Sequence, residues 1–305
     1  MVLQEVPFFL MTATCPPELE SEILDSLSIP NCLVIRAATP RPEISYNVHI
    51  LDDEESAQAW LAESVENALS FYEKGEKGLV FCRSHTTTEK LASLLGCPSY
   101  YRDGRTVDEL KIVYDRFLED DDQKIIVATS LLGAGVDIPH VRQTWHFGMP
   151  YCLISCAQET GRGGRDGKPA YSHVISWRGQ LERTPQETRY TEDAMREWVV
   201  QTSECRRTLF GQILDNIPTS CVLLRQANRC DFCRVNAKRP RPPSQVTFFR
   251  DPMPIAPPRT PPVPACQMPD PRPNTPTQAP PGRTHQTSTT FVPLLPRDVE
   301  PEAPS

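Results

Sequence analysis

No stretch of this 305-residue chain is apolar for long enough to cross a bilayer, so nothing in it reads as a membrane-spanning helix. Positive charge is scarce as well. The 32 Lys and Arg are outnumbered by 39 Asp and Glu, and the formal net charge is -7. A generic polyanion binder is basic overall, so any nucleic-acid contact has to come from a local patch or from backbone donors. The first ten residues include Glu5 and lack the basic start of a secretory signal. No repeat with a period of roughly 20–50 residues is visible, which excludes a solenoid. The phosphate-cradling pattern Gly-x-x-x-x-Gly-Lys-Ser/Thr does not occur, so this usual grip on a nucleotide's phosphates is missing. The 11 cysteines are odd in number and irregularly spread. That argues against a secreted disulfide framework and for reduced thiols, some of them on metal. A protein of the nucleus or cytoplasm is expected.

What is present suits a soluble globular chain with some disorder: 39% hydrophobic and 23% charged residues. Composition changes near Lys238, beyond which most of the 32 prolines lie, mixed with Thr, Ser and Gln. Such a segment buries too little apolar surface to offset its ordering entropy, so 238–305 reads as a disordered proline-rich tail. It would serve as a linker or as a docking strip for proline-reading domains. Lys238-Arg239-Pro240-Arg241 is either a nuclear import signal or a solvated charge cluster.

Before the tail, short apolar runs alternate with helical spacing. Gly78–Cys82, Lys124–Ala128 and Arg142–Phe147 read as buried strands; Thr87–Leu95 and Val107–Leu118 read as helices. Continuous apolar strands alternating with helices point to an α/β fold, a parallel sheet covered by helices. Ligand contacts in such folds gather at the carboxyl ends of the strands, and the chemistry-bearing residues are expected there.

The most informative segment is Gln158-Glu159-Thr160-Gly161-Arg162-Gly163-Gly164-Arg165-Asp166-Gly167. Two arginines three apart would project from nearly the same helical face. Each offers a planar fork of donors suited to phosphate, and the glycines allow close approach. Taken alone, a surface turn rich in Gly and Arg reads equally well. Upstream, Ala128–Pro139 comes after a strand and carries Thr129, Gly135 and Asp137. Backbone amides and hydroxyls there would hold a nucleic-acid phosphate, and Asp137 would accept hydrogen bonds from a ribose. Phe81-Cys82-Arg83-Ser84 ends a strand and opens a helix, and Met11-Thr12-Ala13-Thr14 stands near the start.

In order and spacing these segments resemble superfamily-two helicases, and the RecQ family in particular. Thr12-Ala13-Thr14 resembles motif III, Arg41-Pro42-Glu43-Ile44 the segment joining the two motor lobes, Gly78–Ser84 motif IV, Thr129–Pro139 motif V and Gln158–Gly167 motif VI. The resemblance covers about residues 8–235. It implies a RecA-like sheet with helices on both faces, followed by a small helical zinc-binding subdomain. It implies that Arg162 and Arg165 contact ATP phosphates, with Arg165 as arginine finger. Gln158 would couple nucleotide state to lobe closure, and Gly135 and Asp137 would lie near the nucleotide. Thr129, Ser84 and Arg83 would face the DNA backbone. The implied domains are 1–40, a remnant of the first lobe forming the last strands and helix of an unfinished sheet; 41–180, the second lobe; 181–237, the zinc-binding subdomain; and the tail, 238–305. Val6–Met11 would expose an apolar strand without a neighbour.

Cys230-Asp231-Phe232-Cys233 has the spacing that lets two thiolates share one metal, and Cys205 and Cys221 would complete a tetrahedral site. The resemblance supports this ligand set, although the family clusters its last three cysteines and here Val222–Arg229 separates Cys221 from Cys230. Cys15, Cys32, Cys82, Cys97, Cys152, Cys156 and Cys266 read as buried small apolar residues or tail positions.

No Asp-Glu-x-His element precedes Thr12 either. The elements that hold the β- and γ-phosphates, Mg²⁺ and the attacking water belong to a first lobe, nearly all of which falls outside these residues. The chain is therefore expected to be the carboxyl-terminal part of an ATP-dependent 3′-to-5′ DNA helicase, inactive alone. Its partners would be single-stranded or forked DNA, and an upstream segment or separate chain bearing the first lobe. The alternative is a DNA- or protein-binding module without hydrolysis, as a fragment or decayed copy.

Overall fold

The computed structural model describes residues 9–29, 32–37, 39–133, 137–182 and 190–236. All of them lie in the first of two units that internal contacts separate, Met1–Pro242 and Pro243–Ser305. The expected tail lies outside the described residues, as do Gly135 and Cys266.

In chain order the elements are α1 (Pro17–Ser26), β1 (Ile44–Leu51), α2 (Glu54–Leu69), β2 (Lys77–Cys82), α3 (His85–Leu95), β3 (Ser99–Tyr100), α4 (Val107–Glu119), β4 (Ile125–Ala128), β5 (Val141–Phe147), α5 (Leu153–Thr160), β6 (Ala170–Trp177), α6 (Arg178–Glu182), α7 (Tyr190–Val200), α8 (Arg206–Asp215) and α9 (Asp231–Val235). The strands form one six-stranded sheet in the order β1-β6-β5-β2-β4-β3, and every pairing is parallel.

The sheet exists because its strands are apolar on both faces. All six residues of β2 are buried. Successive side chains point to opposite faces. Val80 and Cys82 pack with Ala57, Leu61 and Val65 of α2 and with Leu91 of α3. Leu79 and Phe81 pack on the other side with Phe117 of α4. On that side Ile44, Tyr46 and Val174 meet Leu153 of α5, Trp198 of α7 and Phe210 of α8. Helices thus cover both faces, as a parallel sheet requires. Local signals set the helix starts: Asp53 caps α2 through Ser56 N, and Thr106 with Glu109 forms a capping box on α4.

Two expectations are corrected. Among the described residues before Ile44 there is one helix, α1, and no strand. Phe9 and Met11 are each 82% exposed, Leu33 is 85% and Ile35 is 81%. These apolar side chains have no layer to bury them, and a strand forms only against a hydrogen-bonding neighbour, which the described residues do not supply. The second concerns cysteine. Cys82 and Cys156 are buried, but Cys15, Cys97 and Cys152 are half-buried and Cys32 is exposed.

Candidate functional site

The two arginines of the Gly-Arg segment do not share a helical face. Helix α5 stops at Thr160, and Gly161–Gly167 runs on in turns and a bend. Three glycines in four positions disfavour continuation. Gly164 has φ +63°, and a Cβ there would lie 2.7 Å from Glu43 Cγ and 2.8 Å from the Lys168 carbonyl oxygen. Arg162 is buried at 4% exposure. Burial, and then the charge of Arg165, lower its affinity for its proton. The Arg165 side chain is 42% exposed and pairs with the Asp137 carboxylate.

The loop is held from three sides. Arg41 donates from Nη1 to the Gly161 carbonyl at 2.6 Å and from Nη2 to the Gly163 carbonyl at 2.7 Å. Gly164 N donates to the Val141 carbonyl at 3.0 Å. Asp166 receives Arg142 Nη1 at 3.0 Å and lies 3.1 Å from His140 Nδ1, while Arg142 Nε donates to Glu76 at 2.6 Å. The Arg142 bond holds the Asp166 carboxyl well below the usual range. Helix α5 is pinned to the sheet by His146 Nε2 and Glu159 Oε2, 2.8 Å apart and both buried. From its exposed side Gln158 Nε2 donates to Thr14 Oγ1 at 3.0 Å. Gln158, Arg162 and Arg165 share a cavity of about 620 Å³ with Thr14, Arg41 and Arg207.

This loop lies at the amino ends of the strands, not the carboxyl ends. It precedes β6, and Arg142 and Asp166 meet Glu76 just before β2. Helix α5 runs back across the sheet and delivers the Gly161–Gly167 loop to the edge where the strands begin. Arg83, Ser84 and Thr129 do lie at the carboxyl edge, where Phe81 is level with Ala128 in the β2–β4 pairing. Arg83 is exposed and Thr129 half-buried. Ser84 Oγ caps α3, accepting Thr87 N at 3.2 Å and donating to Thr87 Oγ1 at 2.8 Å.

The four cysteines come together. Their Sγ atoms all lie within 4.8 Å of one another, with Cys205–Cys221 at 3.5 Å and Cys205–Cys230 at 3.8 Å. Zinc–sulfur bonds of about 2.3 Å at tetrahedral angles put neighbouring sulfurs about 3.8 Å apart, so the donor set and its size fit a structural Zn²⁺. The Val222–Arg229 loop brings Cys221 into the cluster. The Cys205 thiol, and then Cys230, hydrogen-bond Cys221 and hold its thiol well below the ordinary range. Cys205 is pushed up to about 11, chiefly by the same bond, and Cys233 to about 12, chiefly by burial.

Arg207, two residues after Cys205, has a role that the cysteine spacing does not reveal. Its Nε donates to Cys221 Sγ at 3.3 Å, and its Nη1 to the Arg41 carbonyl at 2.7 Å. Asn228 N donates to the Pro42 carbonyl at 2.8 Å. The cysteine cluster is therefore bonded to the segment whose Arg41 grips the arginine loop. The Arg142–Glu76 and His146–Glu159 pairs were missed too. The only hint of either was a charged or ionisable residue within a buried strand.

Residues 60–167 match the family described as "Helicase conserved C-terminal domain". The chain is 29% identical to the "ATP-dependent DNA helicase hus2/rqh1" of Schizosaccharomyces pombe, over 75% of this chain and 18% of that protein. It is 26% identical to the "ATP-dependent DNA helicase RecQ" of Haemophilus influenzae, over 75% of this chain and 37% of that protein. It is 29% identical to the "Bifunctional 3'-5' exonuclease/ATP-dependent helicase WRN" of Mus musculus, over 56% and 12%. The chain thus spans less than two fifths of each of these relatives. Among solved structures, Saccharomyces cerevisiae Dbp5 L327V bound to RNA and ADP BeF3 matches with a TM-score of 0.50 at 16% identity, over 62% of this chain and 48% of that one. At that identity the likeness is one of fold.

Proposed function

From the match of residues 60–167 to the helicase C-terminal family and the likeness to RecQ relatives, we propose that the chain is a carboxyl-terminal helicase region of RecQ type and supplies the arginine side of an ATP-dependent DNA motor. The observation that carries this reading is the loop Gly161–Gly167. A buried and a half-exposed guanidinium stand side by side on it, facing a cavity together with Gln158. Arg165 is the finger: it is held by one exposed carboxylate, Asp137, and can exchange that partner for a developing phosphate charge. Arg162 holds a phosphate oxygen. Gln158, bonded to Thr14, passes nucleotide state between the motif VI and motif III segments. Asp137 and Gly135 lie near the nucleotide.

ATP and Mg²⁺ are held mainly by a first lobe with a phosphate-cradling loop, upstream in the same protein or on another chain. The exposed Phe9, Met11, Leu33 and Ile35 support docking of such a lobe. Arg83, Ser84 and Thr129 take the backbone of single-stranded or forked DNA, and cyclic closure of the two lobes steps the strand in the 3′-to-5′ direction. Cys205, Cys221, Cys230 and Cys233 hold one structural zinc. The four parts are 1–40, 41–180, 181–237 and 238–305, as the sequence suggests.

The test is ATP hydrolysis. The 305-residue chain alone is expected to show none above background, with or without single-stranded DNA. Completed by a first lobe, it is expected to hydrolyse ATP, and Arg165→Ala to abolish turnover without unfolding the protein, since that side chain is half in solvent. Near-normal turnover in the variant removes Arg165 from the role. Turnover by the chain alone means that it assembles a phosphate site of its own.

A further inference from the structure

Tyr151 lies in the loop between β5 and α5, next to Arg83 at the end of β2. The residue is 48% exposed. Yet the ring is anchored. Its hydroxyl donates to the Arg83 carbonyl at 2.8 Å, and the Arg83 guanidinium sits 4.1 Å from the ring centroid. Arg83 covers one face of the ring, which leaves the other face as the side on which a base would stack.

The neighbourhood gives this platform its partner. β5, β2 and β4 are consecutive in the sheet, with Cys82 level with Phe147 and Phe81 level with Ala128. Tyr151, Arg83–Ser84 and Thr129 therefore line up across the carboxyl edge, over roughly 10 Å at the usual strand spacing. An exposed aromatic face beside a cation and a hydroxyl is the chemistry of single-strand binding, where bases stack and phosphates pair. Charge makes stacking necessary. At a net charge of -7 the chain gains little from general attraction to a polyanion, so its hold on a strand has to draw on contacts that survive in salt.

We propose that Tyr151 is a base-stacking platform for single-stranded DNA, with the flanking phosphate held by Arg83. This rests on the reading of the carboxyl edge as the DNA-facing side. Arg83 approaches one ring face and the hydroxyl holds the angle, so the open face is presented at little entropic cost.

The experiment is fluorescence-anisotropy titration of the 305-residue chain at low and moderate salt. The probes are a labelled single-stranded oligonucleotide and an abasic strand of the same length. The native chain is expected to bind the base-bearing strand more tightly. Tyr151→Ala should weaken that binding by roughly 5- to 150-fold, the worth of one stacked base. It should leave abasic binding and the salt slope unchanged, whereas Tyr151→Phe keeps the preference for bases. Arg83→Gln should weaken both strands and lower the salt slope by about one. If the native chain binds neither strand, the DNA-facing reading falls and this proposal with it. If it binds both equally, or Tyr151→Ala keeps the preference in a protein of unchanged thermal midpoint, the edge reads phosphates only and the platform is refuted.

Discussion

Arg142 shows how much of the site rests on one side chain. It leaves β5 with only 9% of its side chain in solvent and bonds Glu76 on one side and Asp166 on the other. A guanidinium stripped of water is tolerable only while both carboxylates stay in place. Arg142→Met would leave the Glu76 and Asp166 carboxylates without the guanidinium they share. The expected cost is about 3 kcal/mol, at the low end for a broken buried pair because Asp166 keeps some contact with water. Urea unfolding checks this. A midpoint equal to that of the native chain would mean the pair contributes nothing, whereas adding Glu76→Gln should recover part of the loss. Asp166 was legible in the sequence as part of the Gly-Arg segment. Its partner was not, because a charge inside a strand does not announce which distant carboxylate it meets.

At the scale of elements, the cysteine module and the arginine loop act together. α8 brings Cys205 and Arg207, α9 brings Cys230 and Cys233, and Arg207 ties Cys221 to the Arg41 segment. Arg41 then grips the Gly161 and Gly163 carbonyls. About one zinc per chain is expected by metal analysis, and Cys233→Ser should lower the yield of folded protein. Chelation should also speed amide exchange at Gly161–Gly167, because loosening Cys221 loosens Arg207 and then Arg41. A folded, unoxidised sample that holds no metal would sink the zinc assignment. A metal-free sample whose loop exchange is unchanged would sink the linkage. The Cys-x-x-Cys spacing was readable in the sequence, and so was the arginine pair. Their connection was not, since it runs through backbone carbonyls, which carry no signature of residue type.

For the molecule as a whole, acid is the expected weakness. His49 on β1 and His173 on β6 lie beside Trp60 of α2, with His49 Nε2 3.1 Å from His173 Nδ1. Burial lowers His49 from 6.5 to about 4 and His173 to about 3. Asp231 pulls His49 up, while Arg234 and Arg206 push it down, and His173 is lowered further by His49 and Arg234. Both folded values lie below the unfolded one, so the unfolded chain takes up protons first as pH falls. The stability these groups contribute is fully present above about 6.5 and is lost as pH falls through about 4 and then 3. Thermal unfolding across pH 7 to 4 should show the midpoint dropping, with a shallower drop for the His49→Gln/His173→Gln double variant. An unchanged slope in that variant would remove the histidine pair as the cause of the acid loss.

The sequence by itself determined the strands β2, β4 and β5, the helices α3 and α4, and the residue types of the site. Apolar periodicity and capping residues act over a few positions and can be read along the chain, as in β2 and at the Thr106 cap of α4. The tertiary structure alone decided that Arg162 and Arg165 stand in turns at the amino edge, opposite Arg83, Ser84 and Thr129. It alone decided that Cys221 reaches the other three sulfurs across a longer loop, and that Arg41, Arg142 and Arg207 hold the arginine loop. Each of these depends on contacts between residues far apart in the chain. Which pairs meet is settled by the order of strands in the sheet and the direction in which α5 returns across it, and local spacing encodes neither.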